Sequence, residues 1–280
     1  MYESILIISV IIISILFAAW VYSEKKLDGK FSKTISSVSF PFPLLALYAI
    51  FKLNISFGYI LVALTFRILI LLIGRYILPL PDTDQDASGF EKLAWSWAQE
   101  GFLNTFNRYP GYNSFFFPWM IALIYSLFGR SLLLIQSIGL LFGVLSVLLG
   151  WLVAKKVWDK QVATKVGWSL ALFPSLALYS IIPLREVHSS FFLLVAMIGV
   201  VNWAKFGSYK SILIAISGFI GATFFHGVLL IGGVVFLFIV FLTYLKEAYK
   251  LILNLRINFT SILIVFMIIV FFAFYLSGKI

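Results

Sequence analysis

Long apolar runs separated by short polar segments organise the chain. Crossing about 30 Å of hydrocarbon takes about 20 apolar residues in a helix. Eight runs are candidate spans: Ile5–Tyr22, Ile55–Leu78, Leu132–Ala154, Val166–Ile182, Phe191–Ala204, Ile212–Phe225, Val228–Tyr244 and Ser261–Leu276. Two others, Ser39–Phe51 and Phe115–Phe128, are about 14 residues long and carry Pro41, Pro43 and Pro118, which suits re-entrant or interfacial segments. His226-Gly227 divides an apolar stretch too long for one helix. The pattern predicts an all-α polytopic membrane protein with about eight transmembrane helices. It forms a single transmembrane domain over 1–280: an N-terminal span and re-entrant segment over 1–54, a module over 55–245 with an external loop at 79–113, and a last span over 246–280.

Composition agrees. Of 280 residues, 62% are hydrophobic and 11% charged, whereas a soluble domain is about a quarter charged. There is no cysteine, which excludes a disulfide framework, a thiolate metal site and a cysteine nucleophile. His188 and His226 are the only histidines, too few for a His-rich metal site. The first apolar run leads into Ser-Glu-Lys-Lys without a small-residue cleavage motif, so it reads as a span and not as a signal peptide. The net charge of +10 sits in short loops between apolar runs, where it reports topology; nucleic acid is not an expected partner, and membrane lipids are.

Basic loops mark the cytoplasmic side: Lys25, Lys26, Lys30 and Lys33; Lys155, Lys156, Lys160 and Lys165; Lys205 and Lys210; Lys246, Lys250 and Arg256. Placing the first two groups together demands an even number of crossings between them, so both short runs span or neither does. With neither spanning, both termini and the 79–113 loop face outside. That loop carries Asp82, Asp84, Asp86, Glu91 and Glu100 against Lys92 and Arg108.

Three of those carboxylates alternate at Asp82, Asp84 and Asp86, directly after a span ends. Ser88 and Glu91 form an S-x-x-E capping box that predicts a helix start. Phe90, Leu93, Ala94 and Trp97 then share one face, predicting an amphipathic interfacial helix. Clustered carboxylates disfavour one another's ionisation and can hold one member ready as a general base. They can also ligate a hard divalent cation through oxygen, which makes Asp82, Asp84 and Asp86 the candidate cation site. A solvated acidic turn with helix-capping aspartates satisfies the same spacing, but loops longer than about 12–15 residues are usually functional or disordered.

The acidic loop resembles that of the GT-C glycosyltransferases that use polyprenyl-phosphate-linked sugars, a family including protein O-mannosyltransferases and bacterial aminoarabinose and lipopolysaccharide sugar transferases. Its acidic motif is matched by Asp86-Ala-Ser-Gly-Phe90-Glu-Lys-Leu-Ala94. A Pro-containing aromatic run ending in Phe-Gly follows at Phe115-Phe-Phe-Pro118 to Phe128-Gly129. Then come a helix leading to a basic turn, Gly139 to Lys156, and a helix with Pro near Ser, Phe173-Pro174 to Ser180. The resemblance covers roughly residues 55–245. It implies a GT-C-like fold and transfer of a sugar from a polyprenyl-phosphate donor to a glycan, lipid or protein acceptor. Asp86 would be the general base and Asp84 its support. Where the family has a second acidic residue this chain has Ala87, and the sequence stops short of the further helices or soluble domain that many members carry; the resemblance therefore implies an acceptor site that is absent or supplied by a partner subunit.

The remaining charges divide between substrate and scaffold. Arg67 lies mid-span, where a charge costs at least about 2.5 kcal/mol and usually marks a site. No Asp or Glu falls in any predicted span, leaving a lipid phosphate, or backbone carbonyls or hydroxyls, as its partners. Arg75 is near the span end and can snorkel. Arg185, Glu186 and His188 fall in an outer loop, with His226 at an outer turn; phosphate binding by Arg185, oriented by Glu186, competes with a local ion pair. The Arg185-to-His226 spacing also resembles bacterial exopolysaccharide polymerase-type membrane proteins, a second reading. A non-catalytic scaffold or lipid-linked sugar carrier is a third.

Overall fold

The computed structural model describes residues 58–254 and 266–267. The predicted segments Ile5–Tyr22 and Ser39–Phe51, and all of Ser261–Leu276 but residues 266–267, lie outside them. Every regular element among the described residues is helical: α1 Gly58–Tyr76, a π-helical turn Thr83–Ala87, α2 Ser88–Ala98, α3 Phe102–Asn107, α4 Phe116–Phe128, α5 Leu132–Val157, α6 Lys160–Leu172, α7 Pro174–Tyr179, α8 Glu186–Phe206, α9 Tyr209–Phe225, a 3₁₀ turn Gly227–Leu229 and α10 Leu230–Asn254. Among the described residues, four helical segments are long and apolar enough to cross a membrane: Gly58–Tyr76, Leu132–Val157, Glu186–Phe206 and Gly227–Lys250.

The predicted single span Val166–Ile182 is a departure. It is two helices, α6 and α7, broken at Phe173-Pro174. Proline disfavours the helical conformation in the residue before it, and Phe173 is extended at φ −64°, ψ 114°. Pro174 then occupies the first turn of α7, where its missing N–H costs nothing. At the α2 start the predicted capping box does not form. The chain is already helical at Ala87, with φ −64° and ψ −47°, so no side chain caps α2; Glu91 turns to other partners.

Tyr59, at the start of α1, stacks on Trp151 near the end of α5, with ring centroids 6.2 Å apart. The end of α1 shares a cavity with Leu132 and Gln136 at the start of α5. The two helices are therefore antiparallel, and residues 77–131 leave and return at one end. A 13-residue helix rises only about 20 Å, and α4 accordingly stays at that end, packed on α2 and on Ile135 and Phe225. Helix α6 carries Gly167 against the Tyr59 ring. α7 brings Ser180 onto Gly139 and Gly143 of α5, where an added Cβ would come within 2.7 and 2.4 Å of Ser180 atoms.

Helices α8 and α9 form an antiparallel hairpin through small residues. Gly199 faces Ala215, Gly218 faces Ala196 and Gly221 faces Phe192, the close approach that small residues permit in apolar surroundings. Gly207, left-handed at φ 62°, ends α8 and turns the chain into α9. The bundle thus has two chemically distinct ends. One gathers Asp82, Asp86, Glu91, Glu186 and His226; at the other, the Lys205 ammonium donates to the Lys156 carbonyl.

The compact unit up to Gly233 holds all of these contacts. From Val234 onward a second unit begins, described as the remainder of α10, whose Val234, Phe238, Phe241 and Leu245 are exposed.

Candidate functional site

The end of α1, the 79–88 segment, the start of α5 and the Ile182-Pro183 turn enclose a cavity of about 700 Å³. Leu71, Leu80, Leu132 and Ile182 form apolar wall; Arg75, Thr83, Ser88, Glu91 and Gln136 supply polar groups. Such a cavity, apolar with a few convergent polar groups, suits an amphiphile. None of the residues that the sequence offered for catalysis or substrate binding lines it. They fall in three different settings.

The aspartate turn forms its rim. Thr83 and Ala87 of the π-helical turn face the cavity, while Asp86, between them, is exposed. Asp82 adopts φ 60°, a left-handed conformation that Asp tolerates better than most residues. One carboxylate oxygen, Oδ2, accepts a hydrogen bond from the Tyr179 hydroxyl at 3.1 Å, tying this turn to the end of α7. Asp84 shares the turn; the candidate cation site rests on its side chain and so lies outside the described residues. No group of three His, Asp or Glu side chains is poised for a metal among the described residues.

Glu91 projects from α2 into a clamp. Arg130 donates to it through Nε at 2.9 Å and Nη2 at 2.8 Å, a bidentate pair, and the Tyr125 hydroxyl donates at 3.1 Å. This joins α2 to α4 and to the Gly129-Arg130 corner before α5. Burial, reinforced by the Glu91 carboxylate, pushes the Tyr125 phenol up, so it serves as a donor.

Arg185, Glu186 and His226 are brought together, as their shared side predicted. Glu186 Oε1 lies 3.8 Å from Arg185 Nε and 3.9 Å from His226 Nε2. These are ion-pair distances too long for hydrogen bonds. Burial, with the Arg185 charge adding to it and Glu186 opposing, lowers the His226 pKa.

The other two candidates are internal. His188 is buried between the rings of Phe142, Phe225 and Phe117, with centroids 4.7, 5.1 and 5.3 Å away. Neither nitrogen has a hydrogen-bond partner among the described residues. Arg67 is fully buried; Nη1 donates to the carbonyls of Ala63 and Ala171, both at 3.1 Å, while Nε and Nη2 have no hydrogen-bond partner among the described residues. Its carbonyl partners are those the sequence offered as the alternative to a lipid phosphate.

Arg130, Tyr125 and Tyr179 were not visible as site residues. Glu91 and Arg130 are 39 positions apart and Asp82 and Tyr179 97 apart, beyond any local periodicity. No protein-family model, curated protein or solved structure matches the chain.

Proposed function

We propose that this chain is a GT-C-type glycosyltransferase of a prokaryotic plasma membrane, multi-pass, with its acidic end outside. It takes a sugar from a polyprenyl-phosphate carrier and passes it to a glycan, lipid or protein acceptor. The observation that carries this reading is the 700 Å³ cavity, whose apolar wall and polar groups meet beside the exposed Asp86. An apolar wall beside Leu71 and Leu132 accepts prenyl chain, and Arg75 supplies the cationic donors that a phosphate needs.

In the reaction the Asp86 carboxylate takes the proton of the acceptor hydroxyl. The acceptor oxygen bonds to the anomeric carbon from the face opposite the phosphate. The carbon–oxygen bond to phosphate breaks, and the phosphate leaves with the electron pair. Arg75 replaces Arg67 and Arg185 here as the phosphate ligand, because it lines the cavity and they do not.

The test is transfer by purified full-length protein from a panel of radiolabelled polyprenyl-phosphate sugars, wild type against Asp86→Asn. Removing a general base costs about 10²–10⁴ in rate, while donor retention should persist. No transfer from any donor, with the two proteins alike, would favour a scaffold or carrier.

A further inference from the structure

We infer that the basic end of the bundle is a binding surface for anionic phospholipid headgroups. Lys155, Lys160, Lys165, Lys205 and Lys210 are exposed there, on two separate connections, α5–α6 and α8–α9. The Lys205 ammonium, bonded to the Lys156 carbonyl, holds those connections side by side. The left-handed Gly207 sets Lys205 and Lys210 on either side of one tight turn.

The surface has almost no internal compensation. None of these lysines forms an ion pair with a carboxylate among the described residues. The acid between them, Asp159, is engaged as the cap of α6, accepting from the Val162 N–H at 2.8 Å. Lys155 lies over the Trp151 ring, 4.9 Å from its centroid, which leaves its charge uncancelled. Trp158, Phe206 and Tyr209 are 63%, 75% and 68% exposed at the same end. Aromatic rings of this kind sit at headgroup depth in membrane proteins, so the lysines beside them stand at the level of lipid phosphates. Uncompensated charge at that depth commits the surface to an anionic lipid rather than a soluble acidic partner. Lysines near a membrane surface each add attraction of about fivefold in binding.

The experiment is native mass spectrometry of full-length protein in detergent, supplied with equal amounts of phosphatidylglycerol and phosphatidylcholine. Phosphatidylglycerol should be retained at least about tenfold in excess, and the excess should shrink with added salt. The variant K155Q/K160Q/K165Q/K210Q keeps the Lys205 brace and should lose the preference, while K92Q/R108Q, at the opposite end, should keep it. Equal retention of the two lipids by wild type would overturn the inference. So would a preference that survives the four-lysine change or disappears in K92Q/R108Q.

Discussion

The Arg67 guanidinium donates to the Ala171 carbonyl at 3.1 Å, fastening the middle of α1 to the last turn of α6 across 104 residues of sequence. The reason lies three residues on. Pro174 cannot donate an N–H, and the chain leaves helical geometry at Phe173, so the last carbonyls of α6 lose their ordinary partners. A cation at the C-terminal end of a helix also meets the negative end of its dipole. Arg67 thus stabilises the break between α6 and α7, and Gly143 makes space for it: a Cβ there would lie 3.1 Å from Arg67 Nε and 2.4 Å from Ser180.

Two effects oppose one another when Arg67 is replaced. Losing the donor leaves a carbonyl unsatisfied, at about 1–3 kcal/mol. Losing the charge and the two unpartnered nitrogens, Nε and Nη2, returns a desolvation cost of similar or larger size. Arg67→Met keeps the volume, so its thermal midpoint in detergent should match wild type to within about 1 kcal/mol of stability. Arg67→Ala adds a cavity and should lose about 2–5 kcal/mol. A Met variant as unstable as the Ala variant would show that the hydrogen bonds outweigh the burial of charge.

The Glu91 clamp is expected to hold the acidic end together. Glu91→Gln keeps the shape but removes the charge that Arg130 and Tyr125 address. Arg130 is 46% exposed and can turn to water, while the Glu91 side chain is 10% exposed and cannot. The loss should therefore be intermediate, about 1–3 kcal/mol. A double-mutant cycle with Arg130→Met measures the coupling; additivity would mean that the pair is incidental.

Much of the helical plan was legible because apolar length is a one-dimensional property. Leu132–Ala154 became Leu132–Val157, and Phe115–Phe128 became a short helix that returns to its own end. The failure at Val166–Ile182 came from counting apolar residues through Phe173-Pro174, where local backbone sterics outweigh hydropathy. The capping box failed for a different reason: the chain is already helical at Ala87, before Ser88, and Glu91 pairs with Arg130 instead of a backbone N–H at the helix start. That partner, like Tyr179 for Asp82, is fixed by packing between segments far apart in sequence. The sequence put Arg185, Glu186 and His226 on one side, but not the cavity, which needs four segments to close.

Glycines of the bundle should separate by what a methyl group meets. A Cβ on Gly218 would lie 2.3 Å from the Ala196 backbone nitrogen and 2.6 Å from its Cα. Backbone cannot swing aside, so Gly218→Ala must part α8 from α9, costing about 1–3 kcal/mol. Gly89, in α2, meets nothing within 4 Å; Gly89→Ala should be neutral or stabilising by up to about 1 kcal/mol through helix propensity. Thermal unfolding of the two variants gives opposite signs if the hairpin packs as described, and equal losses would refute it.

His226 should make the acidic end sensitive to mild acid. Its folded pKa is lowered from the ordinary 6.5, by burial first and then by Arg185, with Glu186 pulling the other way. The unfolded chain therefore takes up the proton first as pH falls. Stability associated with neutral His226 is complete above about 6.5 and drains away below it. Wild type should lose more of its thermal midpoint between pH 7.5 and pH 5 than His226→Gln does. Glu186→Gln removes the one influence that raises the imidazole pKa, so its loss over the same range should be steeper than wild type. If acid instead stabilises wild type relative to His226→Gln, Glu186 dominates as a true ion-pair partner, and the 3.9 Å separation closes once the histidine is charged.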